Sequence, residues 1–353
     1  MATVILTGGG TAGHCVPNIA LIPYLKKNFD SIVYIGSKNG IEKKLVKDQN
    51  IPYYEIETVK LIRSFTLKNL TIPFKLLKGI RESKRIIEKI KPDVIFSKGG
   101  YVALPVVMSA KNKKIPVISH ESDYSVGLAN KISARYSKSV LTSFPETAEK
   151  IKNGLFVGTP IRHELFSVDK NTALKKFGFS GAKPVLLITG GSLGAKAIND
   201  AVRSALDELK KKFDVLHICG KGNVNGSIKK DGYVQTEFAD MKYAYAAADV
   251  CVSRAGSNTV FELLSLEIPS LLIPLPKTAS RGDQILNAEY FKEKGVFDVL
   301  YQEQLSTNKL SDRINKLYCN RSAYKEKIKK LSFRDASRDI SRLIYECANN
   351  RLP

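Results

Sequence analysis

No run of about 20 apolar residues occurs anywhere in the chain, so no membrane-crossing helix is expected. The five cysteines (Cys15, Cys219, Cys251, Cys319 and Cys347) are scattered, odd in number and without a C-x-x-C pair. That spacing argues against a zinc site or a disulfide framework and reads as reduced thiols packed as small hydrophobes. The first apolar strand begins at once, with no basic segment, apolar core and cleavage site ahead of it, so no secretory leader is expected. Acidic residues are also short in supply. Against 56 lysines and arginines there are 34 aspartates and glutamates, a net charge of +22. Such a balance favours an anionic partner: nucleic acid, an anionic membrane surface or a polyanionic substrate.

What is present divides into two similar halves, and 353 residues suit about two domains. Val4-Ile5-Leu6-Thr7 is a β-branched, apolar run that breaks into Gly8-Gly9-Gly10-Thr11-Ala12-Gly13-His14-Cys15-Val16-Pro17, with an apolar helical pattern over residues 19–25. Strand, glycine turn and helix aim backbone N–H groups at a phosphate or sugar oxygen. His14 is the side chain in that turn able to accept a proton near neutral pH. The pattern of strand followed by glycine or polar residues recurs at residues 31–36, at Phe96-Ser97-Lys98-Gly99-Gly100-Tyr101 and at Ile118-Ser119-His120-Glu121-Ser122-Asp123. In an open parallel sheet the carboxyl ends of strands line the ligand crevice, so these segments are expected to face one cleft. His120 reads either as part of that cleft or as a hydrogen-bonded core histidine.

A second start, Val185-Leu186-Leu187-Ile188-Thr189-Gly190-Gly191-Ser192-Leu193-Gly194-Ala195, leads into a helical pattern over residues 197–212. Strands are expected at 215–219, 233–235 and 249–253. The alternation predicts a second doubly wound domain. We place an N-terminal domain at residues 1–162 and a C-terminal one at 163–334, with the last helix, about 335–353, packing back on the first. In the second half, small residues up to Ser257 make a turn and a helix begins near Asn258; the run Ser257, Asn258, Thr259, Val260, Phe261 and Glu262 thus offers first-turn N–H groups that suit a diphosphate. Glu262 reads either as a ribose ligand or as an ordinary N-terminal helix acid. Asp283, Gln284 and Asn287 share a helix face and offer groups suited to sugar hydroxyls.

Between residues 60 and 91 the character changes. Ten basic residues (Lys60, Arg63, Lys68, Lys75, Lys78, Arg81, Lys84, Arg85, Lys89, Lys91) stand against Glu82 and Glu88, interleaved with leucine, isoleucine and phenylalanine. This composition suits the interface of an anionic leaflet. It equally suits a helix packed on the sheet with its charges solvated. Nucleic acid fits less well, because aromatics are few and no recognition motif is present.

The glycine loop with His14 and Pro17, Lys98-Gly99-Gly100-Tyr101 with Pro105, His120-Glu121, Gly158-Thr159-Pro160-Ile161-Arg162, the 190–195 loop, the 254–262 run and Asp283-Gln284 with Asn287-Ala288 form an ordered set. In that order they resemble the MurG family of glycosyltransferases, over nearly the whole chain. The resemblance implies an α/β GT-B fold, two Rossmann-like parallel-sheet domains facing across a cleft. It further implies UDP-N-acetylglucosamine (UDP-GlcNAc) as donor and the undecaprenyl-linked lipid I as acceptor. The transfer would be inverting, at the cytoplasmic face of the bacterial membrane, with no cofactor. By position, Arg162, Ser192, Phe238, Ser257, Asn258, Thr259, Val260, Phe261, Glu262, Gln284 and Asn287 would hold the donor. Thr11, Ala12, Gly13 and His14 would meet the acceptor. Two positions depart from the family pattern. Ala12 stands where the loop usually has glycine, tolerable only at negative φ, and Asp123 stands where asparagine is common.

His14 is the candidate base or acceptor-binding residue, and Asp123 is the fallback base and a sugar-binding candidate. No Asp-x-Asp pair lies at a strand end, so no divalent metal is expected at the donor site. The alternatives are another GT-B transferase with a lipid acceptor such as diacylglycerol, a UDP-GlcNAc 2-epimerase, which should be less basic, and a basic nucleic-acid-binding module. A dehydrogenase is disfavoured by the lack of an acidic ribose partner after the second strand.

Overall fold

The structure is a computed structural model that describes residues 2–59, 71–191, 194–331, 333 and 335–350. It divides into two compact units, residues 1–162 with 335–353, and residues 163–334. Both are built on all-parallel sheets, as alternating strands and helices require.

In the first unit the strands are β1 (Thr3–Thr7), β2 (Ser31–Ser37), β3 (Tyr53–Ile56), β4 (Val94–Ser97), β5 (Val117–Glu121), β6 (Ser139–Thr142) and β7 (Gly154–Phe156). Their spatial order is β3-β2-β1-β4-β5-β6-β7. The helices are α1 (Ala12–Leu25), α2 (Ile41–Lys47), α3 (Ile72–Ile90), α4 (Ala103–Asn112), α5 (Leu128–Ser133) and α6 (Pro145–Glu149). Central strands covered on both faces become near-continuous apolar runs, and β1 and β4 are buried throughout Val4–Leu6 and Val94–Phe96. Register fixes the site. Thr7 pairs with Ser97, and Ser97 with Ser119, so Gly8 and Lys98 leave the sheet level with His120 on β5.

The second unit carries β8 (Val185–Thr189), β9 (Asp214–Ile218), β10 (Tyr233–Thr236), β11 (Val250–Ser253), β12 (Ser270–Leu272) and β13 (Asp298–Val299), ordered β10-β9-β8-β11-β12-β13. Its helices are α7 (Lys170–Phe177), α8 (Lys196–Ser204), α9 (Leu206–Lys210), α10 (Met241–Ala247), α11 (Ser257–Ser265), α12 (Asp283–Glu293), α13 (Thr307–Cys319) and α14 (Arg321–Lys330). Here Thr189 pairs with Ser253, and Ser253 with Leu272, which sets Gly190 beside Arg254 at the strand ends.

The last helix, α15 (Ser337–Ala348), belongs to the first unit. Ile340, Ile344 and Cys347 sit in one buried cluster with Val4, Leu6 and Leu21. Each such side chain contributes roughly 1.5–3 kcal/mol of burial. Asp335 anchors the approach to this helix, its carboxylate accepting from the Ile161 and Ser337 N–H groups at 2.9 and 2.8 Å.

Three local expectations are corrected. The first helix starts at Ala12, not near residue 19, and holds Pro17 and Pro23 inside it. Pro17 comes early in the helix, yet proline usually marks an end, which hid the true start. The expected helix over 197–212 is two helices, broken at Ala205. Four cysteines are buried, but Cys319 is exposed.

Candidate active site

In the first unit the candidate residues lie where β1, β4 and β5 end. α1 begins directly after the glycine loop, so Ala12, Gly13 and His14 form its first turn and Thr11 is its N-cap. Ala12 is therefore helical and is not among the residues with positive φ. The methyl group is accommodated. His14 is half-buried, and its Nδ1–H donates to the Lys98 carbonyl at 3.2 Å. That bond places the proton on Nδ1 and leaves Nε2 as the lone-pair nitrogen. The carbonyl can reach the ring because Gly100 lacks a side chain. At its φ of 78° a Cβ would lie 2.7 Å from the Gly9 carbonyl oxygen and 3.0 Å from His14 Cδ2. Gly10 is equally constrained, since a Cβ at φ 83° would meet the Tyr101 ring at 2.3 Å.

Beneath this surface is a chain of buried polar groups. The Lys98 ammonium donates to Ser122 Oγ. The Ser122 hydroxyl is 3.4 Å from His120 Nδ1, and His120 Nε2–H donates to the Gly158 carbonyl at 2.8 Å. Burial and the nearby Lys98 charge hold His120 well below the ordinary histidine range, so it is neutral at pH 7. It is the hydrogen-bonded core histidine, not a group facing ligand. Glu121 binds the loop after β5, accepting from Asp123 N–H at 3.0 Å, Gly127 N–H at 2.9 Å and Asn130 Nδ2 at 3.0 Å. Asp123 is half-buried beside Ser122. Arg162, also half-buried, ends the segment that follows Gly158.

In the second unit Gly256 is the N-cap of α11, and Ser257 is its buried first residue. Asn258 and Thr259 are half-buried on the same first turn. Val260 and Phe261 are core residues, with Phe261 packed edge-on against Phe291 and Phe333, so only their backbones remain for a ligand. Glu262 is nearly buried and accepts from the Tyr245 hydroxyl at 2.9 Å. Gln284 and Asn287 open α12 and both hold neighbouring loops. Gln284 Oε1 accepts from Leu275 N–H at 3.0 Å, and Asn287 Nδ2 donates to the Ala255 carbonyl at 3.2 Å. Asp283 faces Arg281 at 3.4 Å. Phe238 is exposed, and its carbonyl accepts from Thr236 Oγ1 at 2.7 Å. Ser192 lies outside the described residues. Among those described, no group of three or more His, Cys, Asp or Glu side chains gathers as a metal site.

Three contributors escaped the sequence reading. Glu42, fully buried, accepts from Ser37 N–H at 3.1 Å, Ser37 Oγ at 2.5 Å and Gly10 N–H at 3.1 Å, and so braces the glycine loop. Tyr245 orients Glu262. Lys98 belongs to a strand-end segment expected to face the cleft, and it is the burial of its ammonium that the sequence does not signal. The signal missed was an acid and a lysine at positions the topology buries.

Two Rossmann-like parallel-sheet units, one carrying an oriented histidine at its strand ends and the other a buried carboxylate on a helix N-terminal turn, are the α/β arrangement of GT-B glycosyltransferases. The glycosyltransferase family 28 N-terminal domain matches residues 4–142, and the family 28 C-terminal domain matches residues 185–342. The chain belongs to glycosyltransferase family 28. Its relatives include the UDP-N-acetylglucosamine--N-acetylmuramyl-(pentapeptide) pyrophosphoryl-undecaprenol N-acetylglucosamine transferase of Clostridium tetani, 50% identical over 346 residues and covering 97% of each chain. A Bacillus anthracis protein of the same name, numbered 2, is 47% identical over 98% of this chain and 100% of its own. Among solved structures, Acinetobacter baumannii MurG superposes with a TM-score of 0.76 at 28% identity, over 98% of this chain and 100% of that one.

Proposed function

We propose that this enzyme transfers N-acetylglucosamine from UDP-GlcNAc to the C4 hydroxyl of N-acetylmuramic acid in undecaprenyl-pyrophosphoryl-N-acetylmuramoyl-pentapeptide (lipid I), producing lipid II. The observation that supports this most directly is a relative of that activity, half identical across 97% of both chains. In this reading His14 Nε2 takes the proton of the acceptor hydroxyl as its oxygen attacks the anomeric carbon from the face opposite UDP. The new C1–O4 bond forms with inversion while the bond from C1 to the phosphate oxygen breaks, and UDP leaves with the electron pair. The Lys98 carbonyl keeps Nε2 as the base nitrogen throughout. Thr11, Ala12 and Gly13 meet the acceptor beside it, and Asp123 is the fallback base.

The first turn of α11, Ser257 to Thr259, with Ser192 and Arg162, stabilises the diphosphate leaving group through N–H dipoles and charge, without a metal ion. The backbones of Val260 and Phe261 complete that turn. Glu262, pre-oriented by Tyr245, accepts from the ribose hydroxyls. The Phe238 backbone lies beside uracil, and Gln284 and Asn287 build the sugar subsite.

Among the described residues no helix is long and apolar enough to cross a membrane. In this reading the enzyme sits peripherally on the cytoplasmic face, with the basic 60–91 region toward anionic lipid. Residues 60–70 of that region lie outside those described. On α3, Phe74 and Leu77 are 74% and 51% exposed, and the basic side chains Lys75, Lys78, Arg81, Lys84 and Arg85 surround and continue that face. The test is single-turnover transfer from UDP-GlcNAc to a short-chain lipid I analogue in EDTA, with wild type and His14→Ala. Transfer that survives EDTA and falls steeply in His14→Ala, with donor affinity unchanged, is the expected result. Tight donor binding without transfer to this acceptor, or transfer to diacylglycerol instead, would refute the reading.

A further inference from the structure

Lys98 is 1% exposed, and a buried lysine must be compensated or neutralised. Its backbone carbonyl orients His14, and its ammonium donates to Ser122 Oγ, whose neighbour in sequence is Asp123. Its Cβ lies 3.0 Å from where a Cβ on Gly8 would stand, so the stem packs against the acceptor-side glycine loop. One residue thus touches the loop, the base and the turn after β5. We propose that Lys98 is a positioning residue for the acceptor half of the site: its buried ammonium neutralises Glu121 and Asp123 and clamps the turn after β5 to the strand end that orients His14.

Donor and acceptor roles agree along the whole path. The ammonium donates to Ser122, the Ser122 hydroxyl faces the lone pair of His120 Nδ1, and His120 Nε2–H donates to Gly158. A neutral side chain of similar shape at position 98 breaks that sequence at its head. It also leaves two acids at the strand end without their buried cation. The titratable groups facing the ammonium are His120, Glu121 and Asp123 from β5 and the turn after it, while His14 from α1 meets the Lys98 backbone carbonyl. Burial pulls the lysine down to about 8, with Glu121 and Asp123 partly opposing. The ammonium is charged below that pH and lost above it.

This inference rests on the transferase reading, and the experiment separates the two. Lys98→Met, Asp123→Asn and the double variant are compared in acceptor kcat/KM from pH 6.5 to 9.5, in UDP-GlcNAc affinity, and in melting temperature at pH 7. Lys98→Met should lower acceptor kcat/KM by about ten- to a hundredfold with donor affinity unchanged. The wild type should lose acceptor kcat/KM above about pH 8, a limb that Lys98→Met no longer shows. Adding Asp123→Asn should recover part of the lost melting temperature, because the uncompensated carboxylate is gone. Wild-type kinetics with an intact alkaline limb in Lys98→Met, or a double variant no more stable than Lys98→Met, overturns the proposal. If the wild type transfers nothing to the lipid acceptor, the functional reading fails while the melting comparison still decides the role of Lys98.

Discussion

Replacing Glu42 by alanine or by glutamine separates two jobs of one carboxylate. Oε1 takes both Ser37 N–H and Ser37 Oγ, whereas Oε2 takes only Gly10 N–H. Glu42→Ala leaves a buried backbone donor, Ser37 N–H, and a half-buried one, Gly10 N–H, without an acceptor, at about 1–3 kcal/mol each. With the lost contacts, the first unit should be destabilised by about 3–5 kcal/mol. For a unit of this size that lowers its melting temperature by roughly 10 °C. Glutamine can keep its oxygen on Ser37 only by turning its NH2 toward Gly10 N–H, donor against donor. Glu42→Gln should therefore cost about 1–3 kcal/mol and act selectively on the glycine loop. Calorimetry with circular dichroism reads the stability, since the chain has no tryptophan to report it by fluorescence. Acceptor and donor kinetics read the loop. Acceptor KM should rise several-fold in Glu42→Gln with donor KM unchanged. An alanine variant that loses less than about 1 kcal/mol, or a glutamine variant with wild-type acceptor kinetics, refutes the bracing role.

Tyr245→Phe removes the hydroxyl that orients Glu262 and should weaken UDP-GlcNAc binding about three- to tenfold, read by calorimetric titration, with stability changed by only about 1 kcal/mol. Burial and the Arg203 guanidinium hold His217 down to about 3, against about 6.5 when unfolded. Between those values the unfolded chain binds one more proton, so stability is full above pH 6.5 and falls as pH drops, by up to about 1.4 kcal/mol per unit. His217→Gln should flatten that slope between pH 6.5 and 4.5 in urea melts of the second unit. Phe74→Asp with Leu77→Asp on α3 should abolish sedimentation with anionic vesicles while sparing transfer to a soluble short-chain acceptor; unchanged sedimentation would assign membrane docking elsewhere.

The alternation of apolar strand and glycine loop made both sheets legible, because a parallel strand buried on two faces must be apolar throughout and must stop abruptly. The strand-end positions were legible for the same reason, and His14 stood out as the lone titratable group in its turn. What stayed hidden depends on contacts distant in sequence. Glu42 reads as an ordinary first-turn helix acid until the fold sets it under Gly9 and Gly10. Asn287 reads as a sugar ligand by composition, yet its amide is already committed to the Ala255 carbonyl, so it also holds the turn that opens α11. The start of α1 was obscured by Pro17, which local rules assign to a boundary and tertiary packing keeps inside the helix.

The two departures from the family pattern have different physical status. Ala12 alters a glycine loop without changing what the loop can do. The residue is already helical, its methyl needs no unusual φ, and α1 still begins where the glycines end. Asp123 changes the charge of the turn after β5. An asparagine there is neutral and donates through its amide, whereas an ionised aspartate can only accept and carries a charge that must be compensated near Glu121. A lysine stem reaching the same strand end from β4, with its ammonium on Ser122, supplies the opposite charge at no cost in accessible surface. The carboxylate and the lysine therefore act as one unit. Asp123→Asn alone should leave the Lys98 ammonium under-compensated and more easily deprotonated, moving the alkaline limb of acceptor kcat/KM to lower pH. If aspartate were itself the base, the same variant would abolish transfer at every pH, and the two accounts part on that measurement.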